Sequence, residues 1–506
     1  MFSFALWDAE SGRLFCARDR FGEKPFHYAF DPRRGVFAFA SEIKTLMALG
    51  LAMPTFDERA LFRYFAFGEQ AGVPQTIWAG VERLLAGHAL EVRADRQRVT
   101  MRTYRYWDVD PDDEHVADER SAQQEFRDLF RSSVALRLRS DVPVGTSLSG
   151  GLDSTSVLCQ IKELGTLHGQ KAFTARMEDP AMDESGIVKG LLSDVGIPGH
   201  VVTPTGSMFL EQSDRLFFHQ EEPYPSTSMF ASYLVHGLAK ANAITVLLDG
   251  QGADEYLAGY AHYPALVLVN LAKRGRFRRW WLERRALRAR VGTDPVPWRA
   301  AALLWMRSMS NGAGTLLIDQ QRDTSHLSSA FRAAHAHELP RSIPIGKSAL
   351  KTRMYADLML GHLQELLRYT DRNSMAHSRE VRLPFLDHRL VEFCLRLPET
   401  YLYRDGQSKW ILRESLRGIV PSAILDRRDK VGFATPWARW WSEPAIGNVL
   451  RERLEDAQHV LDPWVENNRI KDGSPASLDV LALASMRRSF EQYRQNASAV
   501  MVADAR

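Results

Sequence analysis

The chain has 506 residues, 45% hydrophobic and 25% charged, enough for more than one domain with large buried cores. With 65 Lys and Arg against 62 Asp and Glu the formal charge is only +3. That balance lacks the concentrated basic surface of a dedicated nucleic-acid binder, so no nucleic-acid partner is expected. Cys16, Cys159 and Cys394 are widely spaced and odd in number, which gives no disulfide framework or zinc site and fits a reducing cytoplasm. No apolar run is long enough to span a bilayer, and the residues after Met1 show neither a basic n-region nor a cleavage site.

Residues 1 to about 107 read as β-rich, with short apolar runs at 2–7, 14–17, 36–40 and 89–92 between turn-formers such as Ser11-Gly12 and Asp31-Pro32. A polar, acidic linker follows at 108–120, and the domain boundary is placed in it. From Ser121 the period becomes helical, with Phe126, Leu129, Phe130, Val134 and Leu138 on one face. Strands and helices then alternate: strand 142–148 into helix 155–164, strand 172–177 into helix 185–194, and strand 244–248 into a glycine-rich turn and helix from Ala253. This alternation predicts a parallel sheet with helices on both faces and ligands at the carboxyl ends of its strands. Residues 261–345 read as a mostly helical insertion rich in Arg and Trp. Its segment Lys273-Arg274-Gly275-Arg276-Phe277-Arg278-Arg279-Trp280-Trp281 reads as a solvated basic helix with tryptophans packed inward, or as a surface for a membrane or an acidic partner. There is no internal repeat and no low-complexity tract.

Four constellations carry chemistry. In Ser147-Leu148-Ser149-Gly150-Gly151-Leu152-Asp153-Ser154 a strand runs through two glycines into a helix. Glycines let backbone N–H groups turn toward an anion, and the helix N-terminus adds the positive end of a dipole. The hydroxyls of Ser149 and Ser154 suit the same oxygens, and Asp153 suits Mg2+ held against them; the bland alternative is a glycine turn with a serine cap. It is not a Walker loop, because no Lys-Ser or Lys-Thr closes a Gly-x4-Gly frame. The second is Asp249-Gly250-Gln251-Gly252-Ala253-Asp254-Glu255, where a buried strand ends in glycines and a carboxylate pair that could complete the Mg2+ site. Alone, such a pair is more often a favourable partner for the helix dipole.

The third is Asp371-Arg372-Asn373-Ser374-Met375 with Glu380-Val381-Arg382-Leu383-Pro384-Phe385-Leu386-Asp387. The fourth is Lys409 in Gly406-Gln407-Ser408-Lys409-Trp410-Ile411-Leu412-Arg413, followed by Lys430-Val431-Gly432-Phe433 and Pro436. A cation is needed to stabilise charge on a pentavalent phosphorus and a departing pyrophosphate, although any one of these charges by itself is more often a surface ion pair.

These motifs, in this order from Met1 to about Trp441, resemble the glutamine-hydrolysing asparagine synthetase family. The resemblance implies an α/β synthetase domain at 121–506 with a parallel sheet, of the PP-loop, adenine nucleotide α-hydrolase-like kind, that turns aspartate and MgATP into β-aspartyl-AMP and pyrophosphate before ammonia displaces AMP. It implies that Ser149, Gly150, Gly151, Asp153 and Ser154 bind pyrophosphate, that Ser147, Leu148 and Ala175 lie near the purine and ribose, and that Asp249 and Gly250 contact the nucleotide. Asp153, Asp254 and Glu255 are the implied Mg2+ ligands, Asp183-Glu184 matches a recurrent pair, and Lys409 is the implied transition-state lysine. Gln251 stands where the family often has an acidic residue, and an amide can neither accept that proton nor carry the charge. A homodimer is compatible with this reading.

Residues 1–107 resemble only the later strands of the family's N-terminal-nucleophile glutaminase domain. The family nucleophile is a cysteine directly after the initiator methionine; here residue 2 is Phe, and Cys16 cannot replace a nucleophile that uses its own α-amino group as base. The chain as given is therefore expected not to hydrolyse glutamine, and its nitrogen partner is expected to be ammonia or glutamine-derived nitrogen. Because a sandwich lacking half its strands exposes apolar faces and open edges, the true start is expected upstream of Met1. The rival readings are an amide ligase or macrolactam cyclase acting on a bulkier carboxylate, a tRNA-modifying enzyme with the same loop, and a scaffold without turnover.

Overall fold

The computed structural model describes residues 1–504 apart from 69–70, 95–98, 116–117, 180–181, 225, 292–314, 320 and 428–434. Residues 1–107 form two antiparallel layers. Strands β1 (Ser3–Asp8), β2 (Arg13–Arg18), β6 (His88–Ala94) and β7 (Val99–Arg105) make one sheet in the order β1-β2-β6-β7. The other is β4-β3-β5, from β3 (His27–Asp31), β4 (Val36–Ala40) and β5 (Glu82–Arg83). Cys16, Phe26, Tyr28, Leu84, Leu90 and Val92 fill the space between them, as alternation along half-buried strands requires. β1 is an edge strand, and its Leu6 and Trp7 are 62% and 55% exposed.

Helix α3 (Glu119–Arg137) starts at Asp118, whose side chain accepts from Ser121 N, and buries Phe126, Phe130 and Val134 along the stripe that their spacing dictates. Beyond it lies a five-stranded sheet in the order β10-β9-β8-β11-β14, parallel at every pairing: β8 (Val144–Ser147), β9 (Ala172–Ala175), β10 (Gly199–Val202), β11 (Val246–Leu248) and β14 (Glu380–Arg382). Chain order reverses between β8 and β11, so the two loops leaving them diverge and open a crevice at their carboxyl ends. Both glycine-rich segments lie there. Helices α4 (Leu152–Glu163), α5 (Ser185–Val195) and α7 (Ser228–Ala241) cover the sheet, and the buried β11 reads as a continuous apolar run for that reason.

The stretch expected to be a helical insertion is only partly so. Helices α9 (Tyr263–Lys273) and α10 (Phe277–Val291) are present, but Thr315–Leu317 and Ser342–Pro344 pair as antiparallel strands. The tryptophans do not both pack inward: Trp280 is half-buried and Trp281 is 56% exposed. Residues 292–314 lie outside the described residues.

The third constellation proves to be a buried joint between residues 1–107 and the parallel-sheet domain, which corrects its reading as part of the phosphate chemistry. On the helix His362–Ala376, Arg372 pairs with Glu221 at 2.7 Å and Asp371 with Lys24 at 3.1 Å, while Asn373 accepts from Gln220. Glu221 also takes the N–H groups of Ile43 and Lys44. Burial works against its charge, but Arg372 and Lys44 outweigh it and hold the carboxyl below its ordinary range. Asp387 caps the helix His388–Arg396, and Arg382 donates to the carbonyls of Arg137 and Arg139.

Candidate active site

The loop after β8 is shaped by two glycines. Gly150 adopts φ +83°, the left-handed region that a side chain disfavours, and Gly151 opens α4 in an extended conformation with no side-chain cap. The first N–H groups of α4 are therefore not capped by a side chain, and Leu152, Asp153 and Ser154 line a crevice. Ser149 N donates to Ser154 Oγ at 3.2 Å, the two hydroxyls are 3.1 Å apart, and Gly151 N donates to Ser149 Oγ. The serines thus hold each other, and the loop, in place.

The loop after β11 lies against this one. A Cβ on Gly250 would sit 2.5 Å from Ser154 N, so only glycine lets the two backbones meet. Asp249 is half-buried, its Oδ1 accepting from Gln251 N at 3.1 Å, and desolvation of its carboxylate pushes its pKa up to about 6 despite that bond. Gln251 lines the crevice with its Oε1 held by Thr370 Oγ1 at 2.9 Å, which fixes the amide in place.

Lys409 closes the site from a third element. Tyr403–Arg404 and Gln407–Ser408 form a hairpin whose turn residues Asp405 and Gly406 have φ 54° and 70°, the conformation that Asp-Gly favours in a two-residue turn. The turn is seated on α10: buried Glu283 accepts from Asp405 N at 3.1 Å and Gly406 N at 2.9 Å. Lys409 then takes φ 56°, unusual for a residue with a side chain, and its N–H donates to Leu257 O. Its Nζ lies 2.5 Å from Asp153 Oδ2 and 2.7 Å from Asp254 Oδ1. Burial opposes the ammonium, but the two carboxylates outweigh it and hold the pKa above its ordinary value.

A crevice of about 350 Å³ joins these parts. Ser147, Leu148, Ser149, Gly151, Asp153, Ser154, Asp249, Gly250, Gln251, Asp254 and Lys409 all line it. Gly150 shapes the loop without lining the crevice, and Ala175 is buried behind its neighbours Phe173 and Thr174, which do line it. Glu255, expected to share the metal, is not brought to the crevice. It is buried, its Oε1 accepts from Tyr260 at 2.6 Å, and desolvation with the adjacent Asp254 charge pushes its pKa to about 7. Among the described residues no group of three or more His, Cys, Asp or Glu is placed to hold a metal ion. Asp153 and Asp254 nevertheless fit Mg2+, which characteristically takes one or two carboxylates and completes its shell with water and substrate phosphate.

The side chains at the crevice that were not assigned from the sequence include two arginines and a histidine. Arg427 pairs with Glu184 at 2.5 Å and donates to Gly150 O, so Glu184 rather than Asp183 serves the crevice; Asp183 accepts from Ser185 N at the start of α5. Arg413 lies one helical turn after Lys409, a spacing that could have flagged it, and burial brings its pKa down to about 10. His236 reaches the crevice from α7, and burial together with nearby His377 pushes its pKa down to about 3, so it stays neutral. No pattern in residues 228–241 distinguished it from a core histidine. The expected Lys430-Val431-Gly432-Phe433 segment lies outside the described residues.

Two protein-family models match the chain: residues 125–502 match the asparagine synthase family and residues 1–107 the glutamine amidotransferase domain. The chain is 27% identical over 463 residues to "Asparagine synthetase [glutamine-hydrolyzing] 1" of Bacillus subtilis, covering 90% of this chain and 71% of that protein. It is 27% identical over 483 residues to a "Putative asparagine synthetase [glutamine-hydrolyzing]" of Mycobacterium tuberculosis, with the same coverage. It is also 27% identical over 490 residues to "Amidase chyE" of Penicillium rubens, covering 88% of this chain and 70% of that one.

Proposed function

The chain belongs to the asparagine synthase family, and from that membership we propose that it makes asparagine from aspartate, ATP and ammonia. An aspartate β-carboxylate oxygen attacks the α-phosphorus of ATP, the bond to the β-phosphate oxygen breaks, and pyrophosphate leaves. Ammonia then attacks the acyl carbon, loses a proton, and expels AMP. The observation that carries this reading is the seat of Lys409 Nζ between Asp153 and Asp254, at the edge of the Ser149–Ser154 loop.

In this arrangement the N–H groups at the start of α4, with Ser149 and Ser154, take the pyrophosphate oxygens, and Asp249 and Gly250 face the nucleotide. Asp153 and Asp254 are the residues that would hold Mg2+, which supplies charge neutralisation on the phosphates when bound. Lys409, buried and partnered by both carboxylates, places its ammonium where negative charge grows on the α-phosphate, a preorganised cation beside the reacting phosphorus. Gln251 orients a polar group of the acid by its amide.

Ammonia is the nitrogen nucleophile of this reading, in which none of the cysteines present takes part. Cys16 lies in the middle of β2 with its thiol pushed up to about 12 by burial, Cys159 is pushed to about 11, and burial also holds Cys394 well above its ordinary range. None of the three is a thiolate at neutral pH. A second reading keeps the adenylation and changes the acid to a bulkier carboxylate. It is favoured by Gln251, whose neutral amide, fixed by Thr370, stands where the family often has an acidic group. Pyrophosphate release separates the two: aspartate with ammonia supports the first, whereas release only with larger carboxylates supports the second.

A further inference from the structure

Helix α10 has two unlike faces. One is buried: Glu283 and Leu287 point into the protein, and Glu283 holds the turn before Lys409. The other lies open. Phe277, Trp281 and Leu282 are 67%, 56% and 48% exposed, and exposed Arg278 and Arg285 are interleaved with them at helical spacing. The Arg285 guanidinium lies over the Trp281 ring at 5.6 Å, so charge and aromatic surface are presented together.

The charge of this segment is out of proportion to the chain. Between Lys273 and Arg290 there are nine Lys and Arg and a single Glu, whereas the whole chain carries only +3, so the remainder is net acidic. Neither feature contributes to the crevice, because no residue of α10 lines it.

We propose that the outer face of α10 docks on an anionic lipid bilayer, lying in the headgroup plane. Phe277, Trp281 and Leu282 enter the acyl boundary while Arg278, Arg285 and their neighbours meet lipid phosphates. Large apolar side chains on a convex helix face need a surface that can deform around them and take their hydrocarbon, which a bilayer interface does. A nucleic acid would ask for a longer basic track, and the acidic remainder of the chain does not extend one. That same remainder is repelled by an anionic surface, which restricts contact to this helix.

Flotation of the full chain with vesicles tests the proposal. Vesicles of phosphatidylcholine containing roughly one third phosphatidylglycerol should bind about tenfold or more tighter than phosphatidylcholine alone, with the difference lost at high salt. Arg278→Gln and Arg285→Gln should each weaken binding about fivefold. Trp281→Ala with Leu282→Ser should weaken it further while leaving the thermal midpoint of this exposed face unchanged. Equal binding to both vesicle types overturns the proposal, as does no binding to either. Retention on polyglutamate or an RNA homopolymer, but not on vesicles, overturns it in favour of a soluble acidic partner.

Discussion

Lys409 crosses Gly259 so closely that a Cβ there would lie 2.5 Å from Lys409 Cε and would overlap Asp254 Oδ1. The position of the lysine thus depends on three supports: a bare backbone at Gly259, the neighbouring 405–406 turn seated on distant Glu283, and the two carboxylates that receive its ammonium.

Lys409→Met should remove a preorganised cation without opening the loop after β8. Pyrophosphate release is expected to fall about 10²–10³-fold or more, with ATP binding within a few-fold of the parent. Lys409→Arg should not rescue it, because the planar guanidinium cannot follow the ammonium's path over Gly259. Single-turnover assays beside equilibrium ATP binding read both outcomes.

Glu283→Gln turns one of two acceptors into an N–H donor facing the backbone N–H groups of Asp405 and Gly406. The hairpin should loosen and the lysine lose its placement, lowering kcat about 10–100-fold while KM for ATP stays within about twofold. An equal loss in both would mean that the substitution disturbed the whole site. An unchanged kcat would mean that the seat on α10 does not place Lys409.

Gly250→Ala places a methyl group 2.5 Å from Ser154 N, where backbone rather than a flexible side chain must yield. A destabilisation of about 1–3 kcal/mol is expected in chemical denaturation, with pyrophosphate release lost because the two loops are forced apart.

Much of this was legible in the chain. The strand–glycine–helix pattern at 144–154 and the apolar run into Asp249 predicted both loops, and the alternation of elements predicted a parallel sheet that is observed. What escaped were relationships set by tertiary packing. Glu255 differs from Asp254 by one position, which on a helix turns its carboxyl toward Tyr260 and away from the crevice. The charges of the 371–387 region look catalytic in sequence because a buried interface and an active site demand the same residue types. Only the partners, such as Glu221 for Arg372, tell them apart. The Asp405-Gly406 turn was readable as a hairpin signal, but its seat on Glu283 was not.

Glu221→Gln tests that interface. It leaves Arg372 and Lys44 buried with their shared counter-charge gone, and an unfolding free-energy loss of about 3–5 kcal/mol is expected. A loss below about 1 kcal/mol would show that the pairing adds little to the joint.

Glu255 gives a pH signature. Its folded pKa of about 7 exceeds the ordinary 4.5, so between those values the unfolded chain releases a proton that the folded chain keeps. Stability from this group is present in full below 4.5 and declines as pH rises to 7, by about 3 kcal/mol. Glu255→Gln should flatten the fall in denaturation free energy between pH 5 and 7 by roughly that amount. An unchanged slope would place the titration elsewhere.

Adenylation of a carboxylate at the crevice holding Lys409 is read directly by identifying the nucleotide products with 31P NMR. Full-length chain, MgATP, ammonia and aspartate should yield AMP and pyrophosphate in equal amounts with one amide formed per AMP, and Lys409→Met should yield neither. Formation of ADP and phosphate, or no nucleotide turnover with aspartate or any larger carboxylate, would contradict it.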